Sequence, residues 1–129
     1  MEGRTRLRPT TAGIVIAILA VLVLAVDQFT KHLALQNLPY ERAVQVWGDF
    51  LQFYLTRNSG AAFSLGEAVT WVFTIILGLA ALIIVSLAVV RVRGRLWAVV
   101  LGLLLGGILG NLTDRLFREP GFAVGHVVD

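Results

Sequence analysis

Three stretches of the chain carry no charge and no helical stripe of polar positions. They run from Pro9 to Val26, from Ala68 to Val90 and from Leu96 to Thr113, and hold 18, 23 and 18 residues. At the rise of an α-helix these lengths reach roughly 27–35 Å, the thickness of a bilayer's hydrocarbon core. A helix that packs on a soluble core shows an apolar face and a polar face; these segments are apolar all round, so membrane spans are predicted. With their flanks, the predicted spans cover approximately residues 12–35, 68–90 and 96–113. Between the first two lies a β/loop region over 36–67. A short turn over 91–95 joins the second to the third, and a loop over 114–129 follows.

Inside the 36–67 region the pattern changes to short apolar runs. Val44-Gln-Val-Trp47, then Gly48-Asp49, then Phe50 to Thr56 predict a hairpin turning at Gly48-Asp49. Trp47, Phe50, Phe53 and Tyr54 are residues of the membrane–water interface. In the third apolar stretch Gly102, Gly106 and Gly110 repeat at GxxxG spacing. Such glycines let a second helix approach closely, and packing within one subunit is the expected use.

Composition agrees with this pattern. Hydrophobic residues make up 57% of the chain and charged residues 15%, and the mean hydropathy is +0.83. That balance excludes a disordered chain, a nucleic-acid-coating protein and a soluble enzyme of ordinary composition. The absence of cysteine removes disulfide frameworks, thiolate metal sites and thiol nucleophiles. His32 and His126 stand in separate segments, so no metal site is expected.

The net charge of +3 reflects distribution and not a nucleic-acid partner. Arg4, Arg6 and Arg8 precede the first span, and Arg91, Arg93 and Arg95 lie in the 91–95 turn. The remaining segments hold Lys31, Arg42, Arg57, Arg115 and Arg118 against seven acids. The positive-inside rule therefore predicts a cytoplasmic N-terminus and 91–95 turn, and an outward-facing 36–67 region and 114–129 loop. The first span lacks a small-x-small cleavage site and reads as a retained anchor.

The candidate chemistry collects at the outward end. Asp27 and Lys31 are four apart and share a face if the first helix continues. Arg57-Asn58-Ser59-Gly60 reads as a polar turn, whose Asn58 has the donors and acceptor to bind a peptide backbone. Asn111, Asp114 and Arg115 emerge from the third span, where ionisable groups are costly and mark functional sites. Asp114 and Asp129 end one outward loop, and two carboxylates sharing a proton can activate water. With no cysteine and no HExxH, an aspartyl mechanism is the protease chemistry this inventory allows.

Four segments together resemble bacterial lipoprotein signal peptidase, also called signal peptidase II. They are Asp27-Gln-Phe-Thr-Lys31, Arg57-Asn-Ser-Gly-Ala-Ala-Phe63, Gly107-Ile-Leu-Gly-Asn111-Leu-Thr-Asp114-Arg115 and Gly125-His-Val-Val-Asp129. The resemblance implies an all-α polytopic membrane bundle with a small extracytoplasmic β-cradle, in the bacterial inner membrane. The family has four spans, of which three are present here. It also implies a cofactor-free aspartyl endopeptidase, monomeric, that cuts lipid-modified prolipoproteins before the diacylglyceryl cysteine. On this pattern Asp129 matches the first catalytic aspartate. Asp114, Arg115, Asn111, Asn58, Asp27, Lys31 and Gly60 take supporting or substrate-binding roles.

The family's second catalytic aspartate belongs to an Asn-x-Ala-Asp motif at the start of the fourth span. These 129 residues contain no such motif. Spacing alone pairs Asp114 with Asp129; the family pattern assigns Asp129 a different partner and leaves Asp114 a supporting residue. The 129 residues by themselves are therefore expected to be inactive. The alternative reading is a non-catalytic membrane protein, either a lipopeptide binder or an ion-conducting subunit whose Asp27, Asp114 and Asp129 line a cation ring.

Overall fold

A computed structural model describes residues 6–59, 66–91 and 93–129. Among the described residues three long helices carry the chain: α1 over Pro9–Asn37, α2 over Gly66–Val90 and α3 over Arg95–Phe117. Four short strands accompany them among the described residues: β1 over Ala43–Trp47, β2 over Leu51–Tyr54, β3 over Arg57–Asn58 and β4 over Val127–Val128. All three helices are long and apolar enough to cross a membrane.

Helix α1 starts at Pro9, where a missing N–H costs nothing and the fixed φ suits the first turn. It ends at Asn37, one residue before an extended Leu38 that precedes Pro39. Its 29 residues extend for roughly 43 Å, well beyond a hydrocarbon core of about 30 Å, so its last turns leave the apolar layer. The helix thus runs two residues past the boundary expected at 35.

Helix α3 corrects the expected boundary more substantially. The sequence placed a loop over 114–129; the helix continues through Asp114 and Arg115 to Phe117. Charge did not stop it, because Asp114 and Arg118 pair one turn apart on its surface. What stops it is the arrival of Glu119-Pro120, since a residue before proline is disfavoured in helical conformation.

Helix α3 packs on both α1 and α2, most extensively on α1. The core is built largely from Ile16 and Ala20 of α1, Ala81, Ile84 and Ala88 of α2, and Ala98, Leu101 and Leu105 of α3. Half of these eight residues are alanines, as suits helices that in lipid gain by close backbone approach and not by hiding apolar surface from water. A Cβ at Gly102 would meet Leu19 and Ile16, and one at Gly106 would meet Val23 and Ala20. The GxxxG ridge is therefore used inside this subunit. Large apolar side chains point outward on every helix, among them Val21, Leu82 and Leu103.

The helix order fixes the ends of the molecule. Leu7 N–H donates to Arg93 O at 2.5 Å, and Arg6 bridges Gly94. Arg6, Arg8, Arg91, Arg93 and Arg95 therefore share one end, and the strands gather at the other. Strands β1 and β2 form the expected antiparallel hairpin, with Gly48 at φ +54° in its turn, a conformation glycine adopts freely. The pairing of β3 with β4 was not expected: Arg57 opposes Val128 and Asn58 opposes Val127.

Candidate functional site

Asp114 is the centre of the strand-bearing end. Its side chain is completely buried, one turn beyond the apolar run Leu96 to Gly110 of α3. Lys31 Nζ lies 2.7 Å from its Oδ2, and Arg118 Nε lies 2.6 Å from its Oδ1. Gln28 Nε2 donates to Oδ1 at 3.1 Å, and the Val128 main-chain N–H donates to Oδ2 at 3.1 Å. Two cations and two neutral donors thus saturate one carboxylate. A buried charge demands this degree of pairing.

The same atoms tie α1 to α3. Lys31 Nζ also reaches Asp27 Oδ2 at 2.9 Å and Asn111 Oδ1 at 3.2 Å. Gln28 Nε2 donates to Asp27 Oδ2 at 3.0 Å and to Gly110 O at 3.1 Å, while its Oε1 accepts from Arg118 Nη2 at 3.2 Å. Asp27 and Asp114 against Lys31 and Arg118 make the cluster neutral. Gly110 makes room for it, because a Cβ there would collide with the Asp27 carboxylate.

Of the residues singled out in the sequence, Asp27, Lys31, Asn111 and Asp114 are in this cluster. Gln28 and Arg118 are in it too and were missed. Gln28 stands three residues before Lys31 within the quoted Asp-Gln-Phe-Thr-Lys segment, and Arg118 stands at i+4 from Asp114; those spacings are the signals that could have found them. Arg115 makes no hydrogen bond within the cluster; it is 6% exposed, its guanidinium carbon lies 5.7 Å from the Phe73 ring centroid, and its charge stands within electrostatic reach of Asp129 and Asp114. Its Nε and Nη1 have no hydrogen-bond partner among the described residues.

Asp129 is held by its backbone. Thr56 and Asp129 exchange two main-chain hydrogen bonds, each of 2.9 Å, which continues the β3–β4 ladder by one pair. Asn58 lies two residues further along β3, opposite Val127, and belongs to a strand and not to the expected turn. Gly60 lies outside the described residues. The polar side chains of α2 fasten the same end: Thr70 Oγ1 donates to Ser59 O at 2.7 Å, and Thr74 Oγ1 to Ala123 O at 2.6 Å.

Asp129 is exposed and borders a cleft of about 550 Å³. The cleft runs between the last turns of α1 and the hairpin, with Thr30, Ala34, Leu38, Phe53 and Leu55 among its walls. A carboxylate at the rim of a mostly apolar cleft, at the end of a membrane-spanning helix, can meet a peptide bond carried by a lipid-soluble substrate. Asp114 cannot share a proton with Asp129 while both its oxygens are engaged by cations and an amide. The arrangement leaves Asp114 bound to Val128 N–H, and Asp129 an exposed carboxylate within electrostatic reach of Arg115.

Residues 19–129 match the family described as signal peptidase (SPase) II. The chain is similar to the lipoprotein signal peptidase of Leifsonia xyli subsp. xyli, with 49% identity over 118 residues, covering 92% of this chain and 54% of that protein. Its similarity to the lipoprotein signal peptidase of Streptomyces griseus subsp. griseus is 48% over 118 residues, covering 89% of this chain and 59% of that protein. A solved bacterial membrane enzyme, determined by the in meso method at 2.3 Å resolution, superposes with a TM-score of 0.74 at 28% identity. The match covers 97% of this chain and 71% of that one. The chain spans a little over half the length of the curated relatives it matches.

Proposed function

The chain belongs to the signal peptidase II family, and from that premise we propose that it carries one half of the catalytic dyad of a membrane aspartyl endopeptidase. The substrate in this reading is a prolipoprotein whose cysteine already bears a diacylglyceryl group, and the bond cut lies just before that cysteine. The protein is a multi-pass bacterial membrane protein. Its proposed placement is the inner membrane, with the N-terminus in the cytoplasm, the site on the outer face and one copy as the working unit.

The observation that carries this reading is the seating of Asp129. A saturated, buried Asp114 holds Val128 N–H, and the next residue presents a carboxylate to an apolar cleft at the end of a membrane span. In the proposed reaction Asp129 and a second aspartate hold one proton between them. That second aspartate belongs to an Asn-x-Ala-Asp motif which these 129 residues do not contain. The ionised carboxylate takes a proton from water, and the water oxygen bonds to the scissile carbonyl carbon. The protonated carboxyl then gives its proton to the leaving nitrogen as the C–N bond breaks. Arg115, buried with two donors unpaired among the described residues, is proposed to hold a substrate carbonyl.

Residues 1–129 alone are expected not to cleave a lipidated precursor. Joined to the remaining C-terminal part of the Leifsonia xyli relative, they are expected to process it, and Asp129→Asn in that chimera should stop processing. Cleavage by the 129-residue chain, or by the Asp129→Asn chimera, would refute the assignment.

A further inference from the structure

We propose that the arginine-bearing end of the molecule binds one anionic phospholipid, with its phosphate among Arg6, Arg8, Arg91 and Arg95 and an acyl chain along the outer face of α2. The two basic segments lie far apart in sequence, and the backbone ties them together. Leu7 N–H donates to Arg93 O at 2.5 Å, and Arg6 and Gly94 form an antiparallel bridge. Arg91 N–H donates to Leu87 O at 2.9 Å, so the α2 ladder carries that side chain into the same patch. Topology alone asks for cations on one side of a membrane protein; it does not ask for them to be pinned together. The patch also lacks the acids that would balance it. Arg6, Arg8, Arg91 and Arg95 are exposed and make no ion pair among the described residues. Helices α1 and α3 both begin here, at Arg8 and Arg95, with no acid in the first turn and no capping side chain. A cation there faces the positive end of the helix dipole, which costs free energy until an anion lies between them.

A lipid phosphate is the anion that fits this setting. Guanidinium groups pair with phosphate oxygens two at a time. The patch stands at the ends of three helices long and apolar enough to cross a membrane, and so at the depth of the headgroups. Helix α2 supplies the place for the acyl chain. Ala81, Ile84 and Ala88 face the core, and the opposite side holds a groove of about 370 Å³ whose walls include Leu79, Leu82, Ile83, Ser86, Val90 and Arg91. Ser86 Oγ donates to Leu82 O at 2.8 Å, so the hydroxyl in the groove is engaged by its own helix and the walls stay apolar. The groove runs over roughly 18 Å of helix, from hydrocarbon depth to a guanidinium. That order, apolar and then cationic, is complementary to an acyl chain leading to a phosphodiester. A soluble anion would leave the groove unused, and a zwitterionic lipid would set its own cation against the arginines.

The test uses the purified 129-residue chain in detergent and needs no catalysis. Phosphatidylglycerol and phosphatidylcholine with identical acyl chains are added in equal amounts, and retained lipid is read by native mass spectrometry. One phosphatidylglycerol is expected on each chain, in preference to phosphatidylcholine. Arg91→Gln, and Arg6→Gln combined with Arg8→Gln, should each lower its affinity, by about fivefold per arginine removed. Ser86→Trp fills the groove and should lower it too. Arg42→Gln, beside the strands at the other end, should leave it unchanged. If a variant fails to fold, the wild-type chain supplies a second reading: added salt should release phosphatidylglycerol and leave phosphatidylcholine as it was. Equal retention of the two lipids overturns the proposal. So does an affinity that the arginine changes leave as it was. Inorganic phosphate that displaces the phospholipid at comparable concentration assigns the arginines to a soluble anion, and a lipid-free dimer assigns the groove to a second copy; either result overturns it as well.

Discussion

Asp114 in α3 accepts the main-chain N–H of Val128 at 3.1 Å, so a carboxylate buried at the end of a membrane helix fixes the residue next to Asp129. Removing its charge should be expensive. In Asp114→Asn the ammonium of Lys31 and the guanidinium of Arg118 lose a shared counter-ion in a buried setting. A loss of about 3–5 kcal/mol is expected from breaking such a pair. Unfolding of the purified protein in detergent measures it. Combining Asp114→Asn with Lys31→Met should cost less than the two changes added, because the second removes a charge the first has orphaned.

Gln28 should prove as important as the charged residues beside it. Its one carboxamide touches Asp27, Gly110, Asp114 and Arg118. Gln28→Leu is expected to cost about 1–3 kcal/mol by leaving those groups short of partners. Gln28→Glu should be worse than Gln28→Leu, since it adds a third carboxylate to a cluster whose charges already balance. Equal stability of the two variants in the same unfolding measurement would show that the cluster is less enclosed than the structure makes it.

The glycines of α3 separate by what lies above them. A Cβ at Gly110 would strike the Asp27 carboxylate, while one at Gly107 meets nothing within 4 Å. Gly110→Ala is expected to destabilise by about 1–3 kcal/mol through overpacking. Gly107→Ala should be neutral or stabilising by roughly 0.5–1 kcal/mol, through helix propensity alone. Thermal denaturation of the two variants side by side decides it.

Gly125 controls the seat of Asp129 from a distance. Its N–H donates to Arg115 O at 2.8 Å, and a Cβ there would meet the main-chain oxygens of Asp114, Arg115 and Arg118. Backbone oxygens of a helix cannot step aside, so Gly125→Ala should push the 125–129 segment off α3. Amide hydrogen exchange at Val128 and Asp129 is expected to accelerate, while exchange in the middle of α1 and α3 stays as it was.

Much of this was legible in the residues. The three spans announced themselves by length and by lack of charge, and the i,i+4 spacing of Asp27 and Lys31 already implied their contact. The hairpin was readable because four or five residues suffice to show a strand pattern and Gly48 marks its turn. Strands β3 and β4 were not, since two residues have no period, and their partners lie some 70 positions apart in sequence. The true end of α3 was hidden for a different reason. Polar side chains after an apolar run look like the start of a loop, and only the contacts with α1 reveal why they remain helical. Gln28 was overlooked because an uncharged residue beside a charged one draws no attention until its four partners are seen together.

The pairing pattern also bears on how the chain enters the bilayer. Asp27 and Lys31 neutralise each other one turn apart on α1, and Asp114 and Arg118 do the same on α3. These four charges can therefore leave the ribosome already matched, each pair before the other exists. When α3 docks on α1, Lys31 reaches across to Asp114 and Gln28 to Arg118. Helix docking then adds a second partner to Lys31 and to Asp114, charges already paired within their own segments.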